Sequence, residues 1–223
     1  MLQYLFIINI NKINFKKVKM DEDISLTLKI IILGSSEVGK TSILDRYFQN
    51  VFRANPLSTI GIDFQTKFFK FDSRKIKVNY TDTAGQEKFH AISINYLKAA
   101  NGVILVFDVT KQQTFDALED WLKDLKENNK LNVQKVLIGN KIDLEEKREV
   151  NKEEAENFAK NIGCNYYEGS AKTGQNINEA LDEIARITYL AMKDFKSEEE
   201  DKDKDAVILD NSKKGNNKKK KFC

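Results

Sequence analysis

The sequence predicts an α/β fold: a doubly wound, mostly parallel sheet of six strands, with one antiparallel edge strand and helices on both faces. Strand-like and helix-like segments alternate along the chain from about residue 27, an order typical of parallel sheets flanked by helices. A glycine-rich segment ending in a lysine and a threonine also falls between the first strand and the first helix. Folds of this class bind ligands at that edge of the sheet.

The first half of the chain supplies a strand, a helix and a hairpin. Thr27 to Leu33 is mostly apolar, as a strand buried on both faces requires, and a helical pattern follows from Lys40 to Phe48. Gln65 to Phe71 and Lys75 to Tyr80 have the composition of strands, and Asp72-Ser73 between them predicts a tight turn. This hairpin accounts for the antiparallel strand.

The second half of the chain continues the alternation and completes the sheet. Apolar runs predict the strands, and apolar residues at helical spacing predict the helices. The expected strands are Gly102 to Val109, Val133 to Gly139 and Tyr166-Tyr167. The expected helices run through Trp121, from Asn151 to Ile162 and from Asn176 to Phe195. Trp121 is expected to be a core or half-buried packing residue.

Length and composition indicate a globular protein of ordinary size. The chain has 223 residues, of which 41% are hydrophobic and 32% charged, and its net charge is +3. This charge gives no reason to expect nucleic acid as a partner. The two cysteines, Cys164 and Cys223, lie too far apart to form the framework of a secreted disulfide scaffold. A reduced, intracellular protein is therefore expected.

Three regions are expected along the chain: an N-terminal extension over residues 1–26, a folded domain over 27–195 and a flexible tail over 196–223. The extension is expected to be disordered, and Met20 would make a natural start of the chain. Its apolar stretch, Leu2 to Ile10, is much shorter than a membrane span and lacks the features of a signal peptide.

Residues 34–41 fit the pattern G-x-x-x-x-G-K-[ST], between a predicted strand and a predicted helix. The backbone N–H groups of such a loop cradle phosphates, because they point at the anion together with the helix N-terminus. Lys40 would contact the β- and γ-phosphates, and the Thr41 hydroxyl would ligate Mg²⁺. The alternative is an ordinary glycine turn. The nucleotide-binding residues expected here are Ser36, Glu37, Val38, Gly39, Lys40, Thr41 and Ser42.

A second motif, Asp82-Thr-Ala-Gly85-Gln86-Glu87, follows the second strand of the hairpin. A carboxylate at a strand end can hold Mg²⁺ through a water, so Asp82 is the second candidate metal residue. Gly85 can bring its N–H to the γ-phosphate without a side-chain clash. Gln86 is placed to orient the attacking water, and it is the candidate catalytic residue.

A third motif, Asn140-Lys141-Ile142-Asp143, follows the strand that ends at Gly139. The Asp143 carboxylate can accept hydrogen bonds from N1–H and the N2 amine of guanine, groups that adenine does not offer there. The stem of Lys141 can lie along the face of the base. In isolation this pattern is a surface turn in most proteins, but here it follows two phosphate motifs.

In this order the three motifs resemble those of Ras-superfamily GTPases, over about residues 27–195. The resemblance implies the GTPase fold with its bound GDP or GTP and Mg²⁺. It also implies that Ser170, Ala171 and Lys172 meet the base, with the Ala171 amide at guanine O6. Thr59 resembles the threonine that ligates Mg²⁺ in the GTP state.

Several segments are similar to the Rab branch in particular. Ser58 to Phe64 resembles the first Rab switch signature, and the stretches that begin at Gln86, Tyr96 and Phe107 resemble three others. The resemblance implies an effector surface, although the same aromatic residues could simply pack in the core or at an edge strand. The effector-surface residues implied are Ile60, Gly61, Phe64 and Tyr96.

Three positions depart from the Rab pattern. Thr81 stands where Rab proteins usually carry tryptophan, which puts the usual aromatic effector triad in doubt. Glu37 replaces a small residue and adds a negative charge close to the phosphates. Gly169 replaces threonine, a minor change. None of the three removes a phosphate, magnesium or base contact, so hydrolysis is expected to survive.

The tail ends in a basic cluster and a terminal cysteine. Six lysines lie between Lys213 and Lys221, and Cys223 is the last residue. Cys223 is the candidate lipidation site, although one cysteine is fewer than Rab tails commonly offer and the C-a-a-X rule is not met. The lysines would add attraction to an anionic membrane. The alternative is a solvated basic tail with an incidental cysteine.

The sequence as a whole predicts a small GTPase switch that hydrolyses GTP slowly and regulates vesicle-mediated membrane traffic from the cytoplasmic face of an endomembrane or vesicle, cycling with the cytosol. The partners implied are an exchange factor, a GTPase-activating protein, a GDP-dissociation inhibitor or prenylation escort, and effectors. The alternatives are a nucleotide-binding scaffold that no longer hydrolyses and an ATP-using phosphate-loop enzyme. Gln86 argues against the first alternative, and Asp143 against the second.

Overall fold

The structure is a computed structural model that describes residues 23–54, 62–83, 96–128 and 133–193, together with the backbone of two short strands near the N-terminus. These strands, Phe6–Ile7 and Lys16–Lys17, pair antiparallel. The chain divides into two units, Met1–Thr188 and Tyr189–Cys223. The sheet and the candidate site belong to the first unit.

Six strands form one mixed sheet in the order β2-β3-β1-β4-β5-β6. In this sheet β2 pairs antiparallel with β3 at one edge, and the other neighbours are parallel. The predicted fold class is therefore confirmed. The strands are β1 Ile24–Leu33, β2 Ile62–Phe71, β3 Arg74–Thr83, β4 Gly102–Asp108, β5 Gln134–Asn140 and β6 Asn165–Glu168.

The predicted helices are present, with one difference after β4. A single helix through Trp121 was expected, and two consecutive helices, α2 and α3, are found there. None of the described helices has both the length and the apolar character needed to cross a bilayer. The helices are α1 Lys40–Gln49, α2 Gln112–Asp116, α3 Leu118–Asn128, a 3₁₀ helix at Ile142–Lys147, α4 Lys152–Asn161 and α5 over 177–193.

The strand β1 begins three residues earlier than its apolar run predicts. Its first residues pair with β3 from Ile24 opposite Lys75, but Ile24 is 47% exposed. Backbone pairing rather than burial therefore defines this end of the strand, and a search for buried apolar runs does not detect it. At the hairpin, Asp72 and Ser73 have φ of 48° and 64°, as expected for a two-residue turn that matches the twist of its strands.

Apolar side chains on both faces of the sheet hold the helices in place. On one face Ile31 and Leu33 belong to a buried cluster with Leu118 of α3 and Ala155 of α4, and Trp121 packs against this cluster half-buried, as predicted. On the other face the hydroxyl of Tyr80 donates to the carbonyl of Leu181 in α5 at 2.9 Å. Because successive side chains of a strand alternate, β4, which is buried throughout, contributes to both faces.

Candidate functional site

The described residues of the predicted site lie at the carboxyl ends of four parallel strands. The loop from Gly34 to Gly39 follows β1, and Asp82 lies near the end of β3. Asn140 ends β5, and Ser170 follows β6 by two residues. In a doubly wound sheet these ends form one edge, so the topology places segments that are distant in sequence at a common site.

Close contacts determine the glycine positions of the phosphate loop. Gly34 has φ of 146°, and a Cβ on it would lie 2.2 Å from the carbonyl oxygen of Val106. Gly39 has φ of 96°, and a Cβ there would lie 2.5 Å from Nδ2 of Asn140. A side chain at Gly34 would displace the backbone of β4, and one at Gly39 would displace the side chain of Asn140. Both positions therefore require glycine for this loop conformation.

Lys40 is the first residue of α1 and lies under the loop. Its side chain is buried, and Nζ donates to the carbonyls of Gly34 and Ser35 at 2.8 Å each. Burial lowers the pKa of Lys40 to about 8, and the negative charge of Asp82 acts in the opposite direction. The ammonium group is therefore held inside the loop whose N–H groups would receive phosphate.

The two described metal candidates are in direct contact. The hydroxyl of Thr41 donates to Oδ2 of Asp82 at 2.6 Å, which joins the start of α1 to the end of β3. A hydroxyl and a carboxylate are oxygen ligands of the kind that Mg²⁺ prefers, and Mg²⁺ is commonly held by only one or two protein groups with waters and phosphates. The described residues of this pair thus fit the metal that the sequence predicted.

Asn140 joins three loops at the centre of the predicted base-binding region. Its Nδ2 donates to the carbonyl of Val38 in the phosphate loop at 2.8 Å, and its Oδ1 accepts from the amide of Ala171 at 3.1 Å. The side chain is 1% exposed. Asn140 therefore sets the spacing between the phosphate loop and the loop after β6, rather than facing solvent as a surface turn would.

Asp143 is held by the loop that follows β6. Its Oδ1 accepts from the hydroxyl of Ser170 at 2.6 Å, and its Oδ2 lies 3.4 Å from Nζ of Lys172. The carboxylate is thus oriented by two residues that the sequence had assigned to the same base. A fixed carboxylate is suited to a ligand that presents two adjacent N–H donors.

Two residues that sequence reasoning missed brace this region. Asp108, at the end of β4, is buried and its Oδ2 lies 2.6 Å from Nζ of Lys141. Arg46 of α1 donates to the carbonyls of Ala171 and Lys172 at 2.8 and 2.7 Å. The signal for Asp108 was an acid at the end of an apolar strand, the same signal that identified Asp82. No local pattern marks Arg46.

Glu37 has an unusual backbone conformation for its residue type. Its φ is 64°, which favours glycine over residues with a Cβ. Its side chain is 74% exposed and lies 3.2 Å from Nζ of Lys111, while its carbonyl accepts from Nζ of Lys141 at 2.7 Å. The added charge that the sequence placed near the phosphates is therefore turned outward and paired.

The described members of the predicted effector surface form an exposed aromatic pair. Phe64 and Tyr96 are 53% and 39% exposed, and their ring centroids lie 5.6 Å apart. Thr81, which stands in place of the usual tryptophan, pairs with Phe64 across the strands and is buried. Two of the four predicted effector-surface residues are thus adjacent aromatic side chains, and the position where a tryptophan is usual holds a small buried side chain.

The remaining predicted residues lie outside the described part of the chain. They are the candidate catalytic residue, the threonine and glycine expected at the γ-phosphate, the other two effector positions and the lipidation site, and their roles stay predictions. These residues are Gln86, Thr59, Gly85, Ile60, Gly61 and Cys223.

Comparison with known proteins agrees with these motifs. Residues 29–189 match the Ras family. The chain is 41% identical to Ras-related protein Rab-13 of Bos taurus over 162 residues, which cover 73% of this chain and 80% of that protein. It is 39% identical to Rab-8B of Homo sapiens over 71% of this chain and 76% of that protein. It is 36% identical to YPTC6 of Chlamydomonas reinhardtii over 92% of this chain and 98% of that protein. The chain therefore belongs to the Ras family and is a Rab-type small GTPase, a GTP hydrolase.

Proposed function

We propose that this protein is a guanine-nucleotide switch that binds GDP and GTP with Mg²⁺, hydrolyses GTP slowly and recruits effectors in the GTP state to regulate vesicle-mediated membrane traffic. The observation that carries the proposal is the Asn140 junction, which ties the phosphate loop to the base-binding loop through contacts to Val38 and Ala171. This junction would hold the phosphate-binding loop and the guanine-binding residues at a fixed distance from each other. A nucleotide carries its phosphates and its base at such a distance.

Phosphate binding would use the loop N–H groups and Lys40. The ammonium group of Lys40 lies against the loop carbonyls of Gly34 and Ser35. A phosphate that meets the loop from the N–H side adds negative charge near this buried cation, and low dielectric strengthens that attraction. We expect Ser36, Val38 and Gly39 to contribute backbone N–H groups, with Ser42 supporting the start of α1.

Base selection would rest on Asp143, aided by Lys141 and by the loop of Ser170, Ala171 and Lys172. Asp143 is oriented by Ser170, so its carboxylate needs little rearrangement to accept from the two guanine donors. Lys141 is anchored at Asp108 and at the carbonyl of Glu37, which extends its stem along the base region. An adenine in this site would offer the carboxylate neither of these two donors, so the hydrogen bonds that guanine makes there would be lost.

Mg²⁺ would be held by Thr41 and Asp82, with Thr59 joining in the GTP state. When bound, the metal would neutralise negative charge on the β- and γ-phosphate oxygens. Gln86 would orient the attacking water. Arg53 forms an ion pair with Asp45 and is 55% exposed, an arrangement that does not mark it as a built-in catalytic arginine. We therefore expect intrinsic turnover on the order of 10⁻⁴ s⁻¹, as at Ras sites without an activating partner.

Switching would make the surface around Phe64 and Tyr96 depend on the bound nucleotide. Contacts from Thr59 and Gly85 to the γ-phosphate would order both switch segments, and hydrolysis would release them. Effectors would bind the ordered surface. An activating protein, an exchange factor and a GDP-dissociation inhibitor or prenylation escort would complete the cycle between an endomembrane or vesicle surface and the cytosol.

Nucleotide selectivity tests this function directly. The purified chain should bind GDP and GTP far more tightly than ADP or ATP, measured by competition against fluorescent mant-GDP. Asp143→Asn should shift the preference toward xanthine nucleotides, because their C2 carbonyl matches an amide donor. Equal binding of ATP and GTP would contradict the proposal.

Single-turnover hydrolysis then separates the alternatives. A switch hydrolyses bound GTP slowly, and faster when an activating protein is added. A nucleotide-binding scaffold would retain GTP under both conditions, and an ATP-using enzyme would hydrolyse ATP instead.

A further inference from the structure

Glu37 brings a carboxylate into a loop that is otherwise suited to anions. It lies three residues before Lys40 in the phosphate loop, and its own N–H belongs to the segment expected to cradle phosphate. An unpaired negative charge at this position would repel a nucleoside diphosphate. The loop can hold such a ligand well only if this charge is turned away or neutralised.

The backbone of Glu37 is fixed from both sides. Nζ of Lys141 donates to its carbonyl at 2.7 Å and is itself paired with the buried Asp108 at 2.6 Å. The next carbonyl, that of Val38, accepts from Asn140 at 2.8 Å. With the main chain held by the half-buried Lys141 and the buried Asn140, the position of the Glu37 carboxylate depends on the rotation of its own side chain.

The side chain of Lys111 contacts the carboxylate of Glu37. It lies immediately before α2, in the segment that follows β4, and its Nζ is 3.2 Å from Oε2 of Glu37. Its side chain is 41% exposed. The contact joins the phosphate loop to the next loop along this edge of the sheet, across 74 positions of sequence.

We propose that Lys111 is a positioning residue for nucleotide retention: it neutralises Glu37, holds that carboxylate away from the phosphate cradle and so sets the rate of GDP release. This inference rests on the proposed guanine-nucleotide function. It assigns a role to a lysine that belongs to none of the nucleotide-binding motifs, and it explains how a glutamate is tolerated in this loop.

The physical effect comes from cancellation of charge rather than from the strength of the ion pair. An exposed ion pair contributes little to folding stability. Both of its charges, however, act on the same bound anion. Loss of the lysine leaves a net repulsion, whereas loss of the glutamate leaves a net attraction. Both effects pass through solvent and should weaken as salt shortens the Debye length.

Release of mant-GDP from four proteins tests the proposal: the full parental chain, Lys111→Gln, Glu37→Gln and the double variant. At low salt we expect Lys111→Gln to release GDP about fivefold faster than the parent, and Glu37→Gln to release it more slowly. The double variant should return close to the parental rate. About 0.5 M salt should bring the four rates together.

Glutamine is the appropriate replacement for Glu37, because it removes the charge and keeps a Cβ at φ of 64°. Glycine would remove the charge and would also relieve the strained backbone conformation, so the two effects on GDP release could not be separated. Lys152→Gln is the matched control, since Lys152 forms an exposed ion pair with Glu156 on α4. This control should release GDP at the parental rate, and thermal melting should show all variants folded.

The outcomes separate this inference from the proposed function. If the parent fails to bind mant-GDP, the nucleotide function itself is wrong. If the parent binds but Lys111→Gln releases GDP at the parental rate at low salt, Lys111 has no positioning role. A double variant as fast as Lys111→Gln would also overturn the proposal, because the effect of Lys111 would then not depend on Glu37.

Discussion

At the scale of single residues, the site depends on a few buried or half-buried polar side chains that each make two contacts. Asn140 bonds both Val38 and Ala171, and Lys141 pairs with Asp108 while it bonds the carbonyl of Glu37. Loss of one partner leaves the other buried and unsatisfied, which costs more than the bond itself contributes. The chemical roles of Lys40 and Gln86 can be tested separately from this scaffold.

Lys40 should make nucleotide binding depend on pH. Burial lowers its pKa from 10.5 to about 8, so protonated Lys40 disfavours folding below that pH, and this cost fades as the pH rises toward 10.5. Phosphate favours the charged form. At about pH 9 binding should therefore take up close to one proton, and at about pH 7 almost none.

Calorimetry of GDP binding in two buffers of different ionisation enthalpy measures this uptake, and affinity should fall as the pH rises above about 8. Equal binding heats in both buffers at the higher pH would mean that Lys40 is already charged before the nucleotide binds.

Replacement of Gln86 should separate binding from hydrolysis. Gln86→Leu should keep its affinity for GTP but hydrolyse it more slowly, with and without an activating protein, because leucine cannot orient the attacking water. Single-turnover assays measure this. Gln113→Leu, at an exposed glutamine of α2, is the matched control and should keep the parental rate. If Gln86→Leu hydrolyses GTP at the parental rate, Gln86 is not the catalytic residue.

At the scale of elements, helix α1 links the phosphate loop to the loop after β6, which is expected to bind the base. It begins at Lys40, directly after the left-handed Gly39, and so directs its N-terminus at the phosphate cradle. One turn from its end, Arg46 reaches the carbonyls of Ala171 and Lys172. The helix therefore helps to fix the position of the loop after β6 relative to the phosphate loop.

Arg46→Lys should weaken this link without removing the positive charge. A lysine ammonium cannot reproduce the planar fork that contacts both carbonyls, so we expect a loss of about 1–2 kcal/mol in the free energy of unfolding. GDP release should also become faster. Urea unfolding and mant-GDP release measure these effects. Arg74→Lys, at an exposed position of β3, should change neither. An unaltered release rate in Arg46→Lys would show that the brace serves stability alone.

At the scale of the whole molecule, the sheet gathers the described site residues at one edge, while the aromatic pair of Phe64 and Tyr96 remains exposed. Residues 189–223 form a separate unit, and its basic cluster and terminal cysteine lie outside the described residues. Membrane attachment through this segment is therefore predicted from the sequence alone, and its test requires the full chain.

Cys223 should be required for membrane attachment. A single lipid gives marginal anchoring and needs a second signal, which the lysines from Lys213 to Lys221 can supply at about 1 kcal/mol each near an anionic surface. In fractionated cells Cys223→Ser should become soluble, and replacement of the lysines by glutamine should release part of the protein.

Cys164→Ser is the matched control for this experiment. Burial raises the pKa of the Cys164 thiol to about 11, which makes it a poor nucleophile for modification, so this variant should stay distributed like the parent. A Cys223→Ser protein that remains on membranes like the parent would exclude the lipid anchor.

The sequence by itself determined the fold class and most of the described site. Alternating apolar segments predicted a parallel sheet, and strand-end motifs placed Lys40, Asp82 and Asn140 at one edge, because such signals depend only on neighbours in sequence. The break between α2 and α3 and the early start of β1 were not predicted, since tertiary contacts and backbone pairing decide helix and strand ends.

Only the tertiary structure decided which distant residues meet. Arg46 and Ala171 are 125 positions apart, and Glu37 and Lys111 are 74 apart. No local periodicity or motif encodes such pairs, because they depend on how loops from different strands approach once the sheet has formed. The sequence thus identified an extra charge at Glu37, but the fold determined that Lys111 neutralises it.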